Sequence, residues 1–195
     1  MDARVRYTQR AIKETFLGLL AEQPLAKITV TAICQGADIN RATFYTYYDN
    51  PIDLMQKLEN ELLDNLQDRL MAQPDKTVES VAEIVFNHLY EEQEVYKVMF
   101  SKNGDTTLMD RVLDTCYQEN MAIIMDLFPE MREREQNWLF YFVGEGCNGI
   151  VRHWISDGMK RDEIREMVQF AGQIVETINA HFKDDAMKKF RRMKK

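Results

Sequence analysis

Apolar positions recur with helical period along almost the whole chain, and no stretch makes a convincing strand. Ile12, Phe16, Leu19 and Leu20 form one face of a first helix that ends before Gln23-Pro24. In "KITVTAICQGADIN" Thr29 can cap a short helix, with Val30, Ile33, Cys34 and Ala37 at i, i+3, i+4 and i+7. Asp38 follows, a residue that tolerates a left-handed turn. Asn40 is then the cap of a third helix, which makes Ile39 and Phe44 the pair of a hydrophobic staple. Asp49 or Asn50 caps a fourth, with Pro51 suited to its first position, Asp53 in its first turn, and Leu54, Leu58, Leu62 and Leu66 along one side.

"MAQPDKT" ends that helix and marks a domain seam. Beyond it Val78, Val81, Ala82, Val85 and Leu89 predict another amphipathic helix, and a polar EEQE interruption precedes "VYKVMF". Asn103-Gly104 reads as a turn, Leu108 to Phe128 as one helix ending at Pro129, and 136–157 and 162–183 as two long helices separated by Asp157-Gly158. The fold class is all-α, without internal repeats.

The most informative stretch is "ADINRATFYTYYDN", with four rings in fourteen positions. Successive residues on a helix point about 100° apart, so Arg41, Thr43, Tyr45 and Tyr47 cannot all turn inward with Phe44. Two short helices joined by a tight turn, the second opening Asn-Arg and carrying outward aromatics, describe a helix-turn-helix over residues 29–48. In such a unit the second helix enters the major groove. Arg41 can reach guanine O6 and N7, and Thr43 a base edge, a thymine methyl or a phosphate. Tyr45 and Tyr47 can donate to phosphate, while Phe44 and Tyr48 belong to the core. The bland counterpart is a three-helix packing unit whose tyrosines cap its own core.

Charge first argues against nucleic acid, because the net is −7 over 195 residues. The distribution along the chain weakens that objection. Residues 1–50 carry six Lys/Arg against five Asp/Glu, and KKFRRMKK at 188–195 carries six basic groups and no acid, which leaves about −14 on residues 51–187. Both ends are spared, and this permits a nucleic-acid contact at the N-terminus. Cys34, Cys116 and Cys147 lie far apart, with no CxxC, and read as buried thiols of a reducing compartment. No apolar run approaches the ~20 residues of a membrane span, and MDARVRYTQR is not a signal peptide, so the expectation is a soluble cytoplasmic protein. There is no phosphate-binding Gly-rich loop, HExxH or nucleophile signature, so no enzyme, cofactor or metal site is expected.

"ITVTAICQGADINRATFYTYYDNPIDL", from Ile28 to Leu54, resembles the N-terminal signature of the TetR/AcrR family of bacterial transcription regulators. The resemblance covers roughly residues 5–65 and implies a DNA-binding domain at 1–65, an effector-binding and dimerisation domain at 66–187, and the basic tail 188–195. It implies base-proximal roles for Thr31, Arg41, Ala42, Thr43 and Thr46, and phosphate roles for Thr29, Tyr45 and Tyr47. One departure matters: Pro51 stands where most members have a phosphate-binding Lys. The start of the fourth helix can still offer backbone N–H groups to an anion.

The C-terminal segments "LYEEQEVYKVMFSKNG" and "WLFYFVGEGCNGIVRHWISDGMKRDEI" are similar to a Gram-positive subgroup that includes regulators resembling the dihydroxyacetone kinase operon activator. Family resemblance implies a homodimer reading palindromic double-stranded DNA, its last two long helices pairing with their copies. Trp138, Phe142, Ile150, Trp154, Ile174 and Ile178 are the candidate interface or core residues. Gly144, Gly146 and Gly149 each cost ~1 kcal/mol relative to Ala inside a helix, which suggests close helix approach or room for a ligand. A pocket for a small-molecule effector would be lined by Phe86, Tyr90, Tyr96, Met99, Met121, Met125 and Phe142, with His88 and His153 as polar candidates; the methionines equally suit plain core. A protein co-regulator is the other possible controller. A protein-interaction module on the same fold is the rival function, because Pro51 and the acidic body weaken DNA affinity.

Overall fold

The computed structural model describes residues 3–193 except 75, 105 and 106, and the side chains of these except 118 and 183–193. The tail side chains of 188–195 therefore lie outside the described residues. Among the described residues the chain is all-α: α1 Ala3–Glu22, a 3-10 turn at Leu25–Lys27, α2 Val30–Gly36, α3 Arg41–Tyr47, α4 Pro51–Ala72, α5 Val78–Glu91, α6 Gln93–Met99, α7 Leu108–Thr115, α8 Tyr117–Leu127, α9 Glu133–Ser156 and α10 Glu163–Met193. It divides into two compact units, Met1–Asp64 with Glu92–Met109, and Asn65–Glu91 with Asp110–Lys195.

The first unit is built on the apolar stripe of α1. Ile12, Phe16 and Leu20 are wholly buried, as are Ile33 of α2, Phe44 of α3 and Leu54 of α4. Close packing of α1 on α2 requires Gly36, since a Cβ there would lie 2.5 Å from Thr15 Cγ2. Asp38 supplies the left-handed residue of the turn, at φ +52, where helix-turn-helix units often use glycine. The Ile39 N–H then returns to the Cys34 carbonyl at 3.0 Å, closing the end of α2. The segment 92–109, which lies within the C-terminal domain expected from the sequence, groups with this first unit. Tyr96, Met99 and Leu108 are fully buried there, and Asn103 Nδ2 donates to the Ala21 carbonyl at 3.4 Å.

In the second unit α5 packs along α10 and α8 along α9. Met121, Ile124, Phe128, Phe140 and Val175 form one buried cluster. Trp154 sits edge-on to Phe86 at 5.9 Å, stacks on Tyr90 at 6.4 Å, and donates from Nε1 to the Lys160 carbonyl at 2.9 Å. The turn between α9 and α10 uses two left-handed residues, Gly158 at φ +96 and Met159 at φ +57.

The single helix expected over 108–128 is two helices. The Cys116 N–H is shared between the Val112 carbonyl at 3.3 Å and the Leu113 carbonyl at 3.1 Å, which tightens one turn. The Thr115 hydroxyl donates back to the Arg111 carbonyl at 2.8 Å, a bond that bends helices. Neither feature alters the apolar period, so the break leaves no mark in the pattern.

Candidate nucleic-acid interface

The α3 helix has seven residues, too few to hold together alone in water, so its caps and its buried face must fix it. Asn40 Oδ1 accepts from the Thr43 N–H at 2.8 Å and from the Thr43 hydroxyl at 3.1 Å. Phe44 is wholly buried and Tyr48 almost so, their rings 5.7 Å apart. Burial of the Tyr48 phenol pushes its pKa up to about 12, helped by Glu61 and Asp53. Lys57 of α4 closes the other end. Its Nζ donates to the Tyr47 carbonyl at 3.0 Å and to Asp53 Oδ2 at 2.9 Å, and lies 5.5 Å from the Tyr48 ring centre. The hydrogen bonds from Lys57 and from the Asp49 N–H hold the Asp53 carboxyl below its ordinary pKa.

Opposite Phe44, the residues Arg41, Ala42, Tyr45 and Thr46 are exposed on one face, while Thr43 and Tyr47 at its margin are half-buried. Arg41 Nη2 donates to Tyr45 Oη at 3.1 Å, and its guanidinium carbon lies 5.8 Å from the Tyr45 ring centre. The Thr46 hydroxyl donates to the Ala42 carbonyl at 3.0 Å. On α2, Thr29 Oγ1 accepts from the Ala32 N–H at 3.1 Å, which leaves its own hydroxyl proton free, and Thr31 is exposed. All eight residues assigned to DNA from the sequence thus belong to α2 and α3 or their caps.

One sequence expectation is corrected at the start of α4. Pro51 has no N–H, and the Ile52 and Asp53 N–H groups both donate to Asn50 Oδ1, at 2.9 and 3.0 Å. The Asp49 N–H donates to Asp53 Oδ2 at 2.9 Å. This helix end is already capped, with a carboxylate beside it, rather than open to an anion. The Lys57 clamp was missed in the sequence; its signal was the i,i+4 spacing of Asp53 and Lys57.

The seven residues proposed for a pocket are divided between the two units. Phe86 and Tyr90 pack on Trp154, and Met121 is core. Tyr96 and Met99 are fully buried in the first unit. Met125 and Phe142 are 56% and 72% exposed. The buried stripe of α9 runs through Gln136, Phe140, Gly144, Asn148 and Val151, which puts Phe142 on the far side, and Met125 lies off the α8 stripe of Met121, Ile124 and Phe128. His88 is buried and His153 exposed. A cleft of about 500 Å³ does open between the start of α5, α8 and α10, over Val78, Ile123, Leu127 and Val175, with the Lys76–Glu119 ion pair among its lining residues.

Among the interface candidates, Trp138 is 57% exposed, and Ile150, Ile174 and Ile178 are half-buried. Trp154, at 2% exposure, is core, and its Nε1–H donates to the Lys160 carbonyl. Gly144 lets α9 approach α7, since a Cβ would lie 2.6 Å from Leu113 Cδ1, whereas Gly146 and Gly149 face open space. Cys34 and Cys116 are buried and Cys147 half-buried; burial raises all three thiol pKa values, that of Cys116 to about 12.

A short capped helix, α3, following α2 after a tight turn and packed by its Phe44 face, has the geometry of a helix-turn-helix unit. The family model described as "Transcriptional regulator C-terminal region", of the TetR type, matches residues 76–177. The chain belongs to the TetR family of transcriptional regulators, which bind DNA, typically dimerise, and are not enzymes. It is 39% identical over 71 residues to the uncharacterized HTH-type transcriptional regulator YxbF of Bacillus subtilis (strain 168), a match that covers 34% of this chain and spans only 19% of that protein. Its fold is similar to a transcriptional regulator from Aquifex aeolicus VF5, with TM-score 0.63 and 16% identity over 88% of this chain and 99% of the other. It is also similar to the dihydroxyacetone kinase operon activator DhaS, with TM-score 0.56 and 22% identity over 90% and 96% of the two chains. No helix among the described residues is long and apolar enough to cross a membrane.

Proposed function

We propose that two copies of this chain bind a palindromic operator, each placing α3 in a major groove, under the control of a molecule bound to the second unit. The observation that carries the reading is the α3 surface itself: Arg41, Ala42, Tyr45 and Thr46 face outward together while Asn40, Phe44, Tyr48 and Lys57 fix the helix from behind. Arg41, Ala42, Thr43, Thr46 and Thr31 are then the base-proximal residues, and Thr29, Tyr45 and Tyr47 grip phosphates. A seven-residue helix reads few bases, so two-fold pairing supplies the remaining specificity, with half-sites about 34 Å apart or a multiple of it.

The outer faces of α9 and α10 support an isologous dimer. Trp138, Tyr141, Phe142 and Phe170 are exposed there, and Gly146 and Gly149 leave the α9 backbone open to close approach. For control, a cleft of about 500 Å³ in the second unit is of ligand size. A ligand there acts by favouring the dimer state whose heads are wrongly spaced for DNA; a protein co-regulator bound to the same unit works by the same arithmetic. A titration of labelled inverted-repeat DNA at several salt concentrations, with light scattering on the same sample, tests the reading. Salt-sensitive binding by a dimer supports it. A monomer at micromolar concentration, or salt-insensitive binding, refutes it.

The second reading, a protein-interaction module on this fold, is favoured by the capped, carboxylate-bearing start of α4. It predicts no preference for an inverted repeat over random duplex in the same titration.

A further inference from the structure

On the exposed face of α3 the hydrogen-bond donors are unevenly distributed. Ala42 has none, the Thr46 hydroxyl is committed to the Ala42 carbonyl, and the Thr43 hydroxyl is committed to Asn40 Oδ1. Arg41 is the residue of that face with donors to spare for a base edge: it holds five N–H groups and gives one, from Nη2, to Tyr45 Oη. Tyr45 accepts that bond, so its own O–H proton remains available to a phosphate oxygen. The ring beneath the guanidinium restricts it further, at 5.8 Å from carbon to centre. At i and i+4, both groups stand on the same side of α3.

We infer that Tyr45 is a positioning residue for base reading: it joins a DNA phosphate to Arg41, so that gripping the backbone and reading one guanine per half-site are coupled events. This deepens the operator-binding reading and rests on it. Ala42, exposed on the same face, offers a thymine methyl an apolar contact. A tyrosine that merely anchors the backbone would strengthen binding to every sequence alike. A tyrosine that aims Arg41 changes which sequence is preferred.

The test is a binding cycle with an operator half-site and the same half-site with its contacted guanine replaced by adenine, using wild type, Tyr45→Phe, Arg41→Ala and the double variant. Tyr45→Phe keeps the ring and loses the hydroxyl, at a site 48% exposed, so folding is not at stake. Wild type should favour guanine by about tenfold or more, within the range of a bidentate arginine contact. Tyr45→Phe should cut that ratio to about threefold or less, and adding Arg41→Ala to it should change the ratio little. Equal weakening on both half-sites, with the guanine ratio kept, would overturn the inference while leaving operator binding intact. A wild type that shows no salt-sensitive DNA binding would remove the operator reading and this inference together.

Discussion

Replacing Pro51 by lysine adds a cation at the first position of α4, where the chain has neither a charge nor an N–H to offer a phosphate. The structure sets the size of the effect. The Ile52 and Asp53 N–H groups are held by Asn50 Oδ1, and Asp53 Oδ2 is held by Lys57 and the Asp49 N–H, so no neighbouring donor takes over the role of the new ammonium. One added phosphate contact steepens the slope of log K against log salt by about 0.9, so between about 50 and 200 mM salt the variant should lose roughly 3.5-fold more affinity than wild type. At low salt it should bind more tightly. The cost to the fold is small, about 0.3–1 kcal/mol for a cation at a helix N-terminus. Fluorescence anisotropy with operator DNA over a salt series measures the slope, and Pro51→Gln separates charge from the restored N–H. Parallel slopes for wild type and Pro51→Lys would refute the phosphate contact.

Three further variants test the packing. Asn40→Ala removes both hydrogen bonds from Thr43 and should cost about 1 kcal/mol in urea unfolding, while Asn40→Asp stays near wild type; equal stability of the two would show that the cap contributes nothing. Gly144→Ala presses on Leu113 and Gly146→Ala meets nothing, so in dilute protein the first should be less stable than the second by at least about 1 kcal/mol. At alkaline pH the folded state holds the Tyr48 proton from about 10 up to about 12 while the unfolded chain releases it, so this residue's contribution to stability is complete below pH 10 and declines through that window. Tyr48→Phe should therefore flatten the fall in stability between those pH values, and a fall as steep as in wild type would contradict the burial of the phenol.

Caps and short helices were legible in the sequence because their determinants are local. Thr29, Asn40 and Asn50 accept the N–H groups their positions require, and Asp38 takes the left-handed turn. Phe44 and Tyr48 turn inward as helical spacing demands. What leaves the apolar period unchanged, or depends on tertiary partners, was hidden. The break at Cys116 comes from one shared N–H and a threonine back-bond, neither of which alters the apolar period. Met125 and Phe142 read as pocket because they are large and apolar, yet the stripes of α8 and α9 turn them outward. Trp154, read as interface or core, is core, taken up by Phe86, Tyr90 and the Lys160 carbonyl. The pairing of Arg41 with Tyr45 lay open at i,i+4 spacing, but only geometry shows which atom donates.

The most direct test of operator reading by α3 is selection of bound fragments from a genomic library by the purified chain, with Tyr45→Ala run beside it. The predicted result is recovery of a common inverted repeat, bound in a salt-sensitive manner and lost in the variant. Diffuse recovery, equal for both proteins, would contradict it and leave the α3 surface to a protein partner.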